Sequence, residues 1–355
     1  MLKKDKNKKI NHLKVSIIIP CRNEERYIAK CLDSIIKQDF PKNKLEVLVV
    51  DGMSSDKTLQ ILKKYDEHLL SVKILKNPKK ITPCAFNIGI KYSKADFILI
   101  MGAHSVYKKD YISKCIKYLN QYKVDNVGGI SIAIPGNKGL LANSIAIVLA
   151  HPFGVGNAYY RIGVKEPKYV DTVWGGCFNR KLFEENGLFD EELIRNQDDE
   201  FNLRLIKNGG KILLFPDIIS YYYSRESLGK FCKMFFQYSY YKPLTVRKIG
   251  GLLTWRQIVP SLFISALGVS LLLSFFIDAA FWLFFSTIGL YLVIDLFFSM
   301  MISLKKKKLK LLPFLAISFI ALHFSYGIGY LKGILDFIVF NGKVKGRAND
   351  LPLTR

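Results

Sequence analysis

Two kinds of hydrophobic pattern divide this chain near Ile258. Upstream, short apolar runs at residues 15–19, 47–50, 72–75 and 97–101 are rich in Val and Ile, and each gives way to a polar stretch. Stretches of helical period lie between them. From 25 to 36, Ile28, Cys31, Leu32 and Ile35 recur at the spacing of one helix face, and Pro83 opens another helix with Thr82 as its cap. Continuous apolar strands alternating with helices predict an α/β, mostly parallel, doubly wound sheet with a ligand crevice at the strand C-termini. Residues 128–223 are less regular, with strands expected at 130–134 and 212–215 and a helix at 198–208 stopped by Gly209-Gly210.

Downstream, residues 259–277 carry no charge, 279–304 only Asp295, and 311–331 none. At about 1.5 Å per residue, each run can cross a hydrocarbon core of roughly 30 Å. Three in succession predict membrane spans rather than a buried helical bundle. The cluster Lys305, Lys306, Lys307, Lys308 and Lys310 between the second and third runs belongs on the cytoplasmic face. The chain is thus expected in the cell membrane, multi-pass, with its α/β part cytoplasmic. Three crossings would leave the C-terminus outside, whereas Lys343, Lys345 and Arg347 argue for inside. Either 311–331 is re-entrant or 333–340 belongs to a return.

The expected organisation is a basic tail at 1–14, a catalytic domain at 15–225 with halves 15–105 and 106–225, and interfacial linker helices at 226–257. A transmembrane region at 258–341 and a polar tail at 342–355 follow.

A formal charge of +24 on 355 residues asks for a polyanionic neighbour. Because the lysines cluster beside apolar spans, anionic membrane lipid is the expected partner, and not nucleic acid. The six cysteines show no metal-ligand spacing, so they are read as reduced, mostly buried thiols of a cytosolic domain. The Lys-rich start lacks the apolar core of a secretory signal.

Candidate chemistry sits at the strand ends. Arg22, Asn23 and Glu24 follow the first strand, as pocket lining or as a helix cap. Asp51 ends the second, either as a turn residue before Gly52 or as an acceptor for the N–H of a uracil. Asn87 and Gly89 interrupt a helix. Gly102-Ala103-His104 follows the fourth strand, where neutral His104 can ligate a divalent cation facing a diphosphate. Asp198, Asp199 and Glu200 open a helix, where the macrodipole favours acids and where a crevice wall needs a general base.

In this order the segments VSIIIPCRNEERYIAKCLDSI, VLVVDGMSSDKTLQIL, AFNIGIKYSKADFILIMGAHS, WGGCFNRKLFEENGLFDEEL and QDDEFNLRL resemble the family 2 glycosyltransferases of GT-A fold. The resemblance implies an inverting, hexosyltransferase-type enzyme in cell-surface polysaccharide synthesis. It would use a nucleotide-sugar donor, UDP-linked, and a lipid-linked glycan acceptor. It casts Pro20, Arg22, Asn23, Glu24, Asp51, Asn87, Gly102 and Ala103 as donor contacts, and His104 as ligand to Mn²⁺ or Mg²⁺. It also makes Asp198 the catalytic base and places Trp174, Gly175, Gly176 and Asp199 on the acceptor side. Gly102 stands where the family's D-x-D motif has a carboxylate, and His104 replaces the last one. The Asp-Ala-His variant of succinoglycan-type transferases is similar at the histidine. The Q-x-x-R-W motif of processive synthases is absent. A polyprenyl-phosphate sugar synthase and an inactive nucleotide-sugar-binding partner are the alternatives.

Overall fold

The protein is seen in a computed structural model that describes residues 15–65, 71–250 and 257–340. The lysines of the N-terminal tail, Lys343, Lys345 and Arg347, the polar tail at 342–355, and residues 251–256 of the expected linker lie outside these. The chain divides into two compact units. The first is built from residues up to 132 with 163–222, the second from 133–162 with residues from 223 onward.

In the first unit the apolar runs form β1 (Val15–Cys21), β2 (Leu45–Asp51), β3 (Ser71–Lys76) and β4 (Phe97–Ile100). The helices between them are α1 (Ile28–Ile36), α2 (Thr58–Lys63) and α3 (Thr82–Tyr92). The four positions foreseen on α1, Ile28, Cys31, Leu32 and Ile35, are fully buried against Val15, Ile17, Val47 and Val49 of the sheet. Thr82 is already helical, and Ile81 takes the cap position in extended conformation. Gly89 of α3 lies so close to β1 that a Cβ there would stand 2.6 Å from Ile18 Cγ2.

Beyond these come β5 (Ser105–Tyr107), α4 (Tyr111–Tyr122), β6 (Asn126–Ile134), β7 (Lys168–Tyr169), β8 (Gly176–Asn179) and β9 (Ile212–Tyr223). The described strands form one sheet of order β3-β2-β1-β4-β8-β6-β9-β5, with β7 paired to β9. Its β3-β2-β1-β4 half is parallel, as expected. Beyond β4, β8 lies antiparallel to both β4 and β6, and β5 and β7 each pair antiparallel to β9. The strands expected at 130–134 and 212–215 are present within β6 and β9, whereas β5, β7 and β8, of four residues or fewer, are too short for a period to register.

The second unit contains α5 (Leu140–Val148), α6 (Pro152–Val155) and α7 (Tyr159–Ile162), while α8 (Lys181–Glu185) and α9 (Gln197–Lys207) belong to the first. It continues with α10 (Leu228–Tyr240), α11 (Lys242–Ile249), α12 (Val259–Leu273), α13 (Asp278–Lys305) and α14 (Leu312–Ile334). Residues 133–162 therefore depart from the single domain expected at 15–225. The physical reason is that α5, reading LLANSIAIV, needs an apolar partner and finds it in α14.

Two helical stretches are long and apolar enough to cross a membrane. They are Asp278–Lys305, of 28 residues and mean hydropathy 1.9, and Leu309–Val339, of 31 residues and mean hydropathy 1.8. The third expected span is the 15-residue α12, which stops before Phe275, Phe276 and Ile277. In the expected linker, α10 buries Phe231, Met234, Phe235 and Tyr240 and packs along α14, with Phe236 and Tyr238 half-buried.

Candidate active site

The first two strand ends are in register, Cys21 opposite Asp51, and the Gly52 N–H donates to the Cys21 carbonyl at 2.7 Å. The loops that follow are laced together. Asn23, held at a left-handed φ of 54°, donates its N–H to Ser54 Oγ (2.9 Å) and accepts from the Ser55 N–H through Oδ1 (2.8 Å). The Glu24 N–H donates to Thr58 Oγ1 (2.8 Å), and the Glu25 N–H to Asp56 Oδ2 (3.2 Å). Burial would raise the Asp56 carboxyl, but hydrogen bonds from Thr58 and Glu25 outweigh it and hold the group below its ordinary range. Asp51 is 2% exposed and accepts from the Ser54 N–H (3.1 Å) and Ser54 Oγ (2.6 Å), so the turn role of this residue is present in the fold. Arg22 lies over Gly52, and Pro20 ends β1 opposite Val50.

Across from these loops, Met101 continues β4 and donates its N–H to the Ile18 carbonyl. Gly102, buried Ala103 and His104 follow. The His104 Nδ1 lies 3.1 Å from Glu24 Oε1, the Glu24 side chain being almost wholly buried. Tyr222 packs against the His104 ring at 5.1 Å, edge to face. The Tyr107 hydroxyl accepts the Gly102 N–H at 2.7 Å, and burial pushes its own ionisation well up, so it stays a neutral phenol.

The loop 174–176 meets Gly102 because Gly176 of β8 pairs with Ile100 of β4. Gly175 and Gly176 sit at φ of +76° and +117°, a backbone only glycine adopts cheaply. They carry the Trp174 indole over Gly102, stacked on Tyr107 (6.3 Å between centroids, 20°) and edge-on to Tyr222 (6.2 Å, 70°). A Cβ at Gly102 would stand 2.8 Å from Trp174 Cζ2 and 2.9 Å from Cη2.

Asp198 and Asp199 lie in the first turn of α9, and Asp198 Oδ1 accepts the Asp199 N–H at 3.1 Å. One turn on, Asn202 anchors the helix, donating to Thr172 Oγ1 (2.9 Å) and accepting from Asn126 Nδ2 (3.0 Å). Thr172 is two residues before Trp174, so the anchor ties the helix of Asp198 to the Trp174 loop. Arg204 binds Glu200 and the carbonyls of Asn186 and Leu188, fixing the chain that leads into α9.

Asn87 is placed differently from the other donor-side candidates. Its amide clasps the backbone of Phe189 in both directions (2.8 and 3.0 Å) and reaches Glu191 Oε1 (3.1 Å). Glu191 also binds Lys79 at 2.6 Å, and hydrogen bonds from Lys79, Asn87 and Cys84 pull its pKa down to about 2. The structure thus gathers Pro20, Arg22, Asn23, Glu24 and Asp51 at the laced strand ends, joins His104 to Glu24, and sets Trp174 over Gly102. Tyr107 and Tyr222 were missed by sequence reasoning. The Tyr221-Tyr222-Tyr223 run was the available signal, but only the β5–β9 pairing, Ser105 with Tyr222, says which tyrosine turns inward.

Paired loops at the C-terminal ends of parallel strands form the ligand crevice of a doubly wound α/β fold. A family profile described as Glycosyl transferase family 2 matches residues 16–187. The dolichyl N-acetyl-alpha-D-glucosaminyl phosphate 3-beta-D-2,3-diacetamido-2,3-dideoxy-beta-D-glucuronosyltransferase of Methanococcus voltae is 38% identical over 242 residues, spanning 66% of this chain and 74% of that relative. Succinoglycan biosynthesis protein ExoA of Rhizobium meliloti is 23% identical over 323 residues, 90% of this chain and 95% of its own. Among solved structures, mannosyltransferase PcManGT from Pyrobaculum calidifontis, in complex with GDP-Man and Mn²⁺, shares the fold. Its TM-score is 0.56 at 16% identity, covering 90% of this chain and 87% of that one. The chain belongs to glycosyltransferase family 2 and is a glycosyltransferase of glycan or polysaccharide biosynthesis.

Proposed function

We propose that this enzyme moves a sugar, with inversion, from a UDP-sugar donor to a lipid-linked glycan acceptor at the cytoplasmic face of the cell membrane. The observation that carries the reading is the laced pair of strand-end loops closed by Glu24–His104, with α9, which opens on Asp198, tied through Asn202 to Thr172 two residues before Trp174. Asp51 accepts from the base, and Arg22 and the Asn23–Glu24 backbone line the nucleotide. The acceptor's relation to lipid follows the dolichyl-linked substrate named for the Methanococcus voltae relative. The apolar helices α13 and α14, with the exposed lysines 305–308 and 310 between them, suit a bilayer with anionic lipid.

In the transfer, an Asp198 carboxylate oxygen takes the proton of the acceptor hydroxyl. The acceptor oxygen, as it loses that proton, attacks the anomeric carbon from the face opposite the nucleotide. The new C–O bond forms as the bond to the diphosphate breaks, and its electron pair leaves with the diphosphate. Asp199, beside it, orients the acceptor, and Trp174 offers the sugar an apolar face.

The residues present fit a divalent cation as a half-site. Among the described residues no three His, Cys, Asp or Glu groups converge, but His104 and Glu24 stand together, and hard divalent ions commonly take only one or two protein ligands with phosphate oxygens. A nitrogen ligand favours Mn²⁺ over Mg²⁺. Bound there, the ion would neutralise charge on the diphosphate.

The test is a thermal-unfolding screen of UDP- and GDP-sugars on the full chain in detergent, followed by transfer to a polyprenyl-diphosphate glycan read by mass. One UDP-sugar should raise the melting point and yield a product one sugar heavier. If no nucleotide sugar shifts the melting point, the reading fails.

A further inference from the structure

The space a side chain would need at Gly102 is taken by an indole. A Cβ there would approach two ring carbons of Trp174 at 2.8 and 2.9 Å, closer than side chains pack. The ring is fenced in. Tyr107 stacks behind it, Tyr222 meets its edge, and the Gly175-Gly176 backbone that carries it is pinned by pairing with Ile100. The floor is equally fixed, since the Gly102 N–H is bound to the Tyr107 hydroxyl and Tyr107 is buried.

We propose that Trp174 occupies the place of a carboxylate in this loop. The protein's hold on the cation is thereby confined to His104 and Glu24, and the cation enters only as a complex with the donor's diphosphate. The second half rests on the donor reading above. The physical reason is ligand number: two side chains, already hydrogen-bonded to each other, are too few to strip water from a hard divalent ion, whereas diphosphate oxygens supply the rest. Gly102 and Trp174 are then a size-matched pair, and Trp174 sets cation affinity through what it excludes.

Four variants of the full chain in detergent test this, Gly102→Ala, Gly102→Asp, Trp174→Gly and Gly102→Asp combined with Trp174→Gly. They are read by melting temperature and by electron paramagnetic resonance of free Mn²⁺, without nucleotide and with UDP or GDP. Gly102→Ala and Gly102→Asp should each lower the melting temperature, by roughly 5 °C for the larger residue. The double variant should recover part of that loss and bind Mn²⁺ without nucleotide, whereas the natural chain should bind it only with a nucleoside diphosphate. A Gly102→Asp chain that keeps its melting temperature and gains Mn²⁺ affinity overturns the pair. Equal Mn²⁺ binding by the natural chain with and without diphosphate overturns the entry order. Failure of every variant to bind either nucleotide overturns the donor reading and the entry order together, while the melting temperatures still decide the packing of Gly102 and Trp174.

Discussion

The two units solve opposite burial problems. In the first, Ile17, Ile18, Val47, Val49 and Leu99 are hidden, and the buried carboxylates Glu24 and Asp51 are each held by hydrogen bonds. In the second, α13 does the reverse. Trp282 is 68% exposed, Val293 65% and Phe297 60%, while Asp295, Ser299 and Ser303, spaced at i, i+4 and i+8, are buried on one face. A helix that displays its aromatics and hides its polar groups is stable only where the solvent is apolar. Sheet and helix thus obey one rule, burial from the surrounding solvent, with two different solvents. The groups proposed for catalysis, Asp198 and Asp199 of α9, belong to the first unit.

The strongest way to break that division is Asp198→Asn. With chemistry in the first unit, turnover should fall by about 10²- to 10⁴-fold, while a nucleotide sugar still raises the melting point. Turnover near that of the natural enzyme would remove Asp198 from the role of base and pass it to Asp199.

Next in size is a paired substitution to arginine. Val293→Arg on α13 should cost about 3 kcal/mol of membrane insertion and lower the membrane-extracted yield. Gln60→Arg, exposed on α2, should stay within about 0.5 kcal/mol of the natural stability. Equal behaviour of the two variants would mean that both units face water.

Asp51→Ala should weaken nucleotide binding by about 1–3 kcal/mol, measured calorimetrically, since it removes a buried acceptor. Unchanged affinity would leave Asp51 with its Ser54 turn alone.

The smallest effect concerns the Asn87–Glu191–Lys79 clasp. Glu191 is depressed from 4.5 to about 2, so its contribution is present above the unfolded value and is lost as pH falls through the folded one. Its carboxylate is about a third exposed, so Glu191→Gln should cost less than about 1 kcal/mol at neutral pH. The gap to the natural chain should close between pH 4.5 and about 2 in urea melts. A gap that persists at pH 2 would show that Glu191 acts through packing and not through charge.

What the sequence determined by itself was local. Strands β1 to β4, the buried face of α1, the acids opening α9 and the apolar character of α13 and α14 all follow from the order of side chains within one element. So do the buried cysteines, five of the six lying inside the fold and Cys232 partly so. What only the tertiary structure decided involves neighbours far apart in the chain. Residues 133–162 join the second unit because α5 needs α14. Asn87 turns to Phe189 and Glu191, 102 and 104 positions away. His104 meets Glu24 across 80 residues. The glycine at 102, a missing ligand when read along the chain, is the seat of an indole brought by the antiparallel pairing of β8 with β4. Strand pairing across a sheet is set by the whole hydrophobic core and by loop closure, and no period in a short segment encodes it.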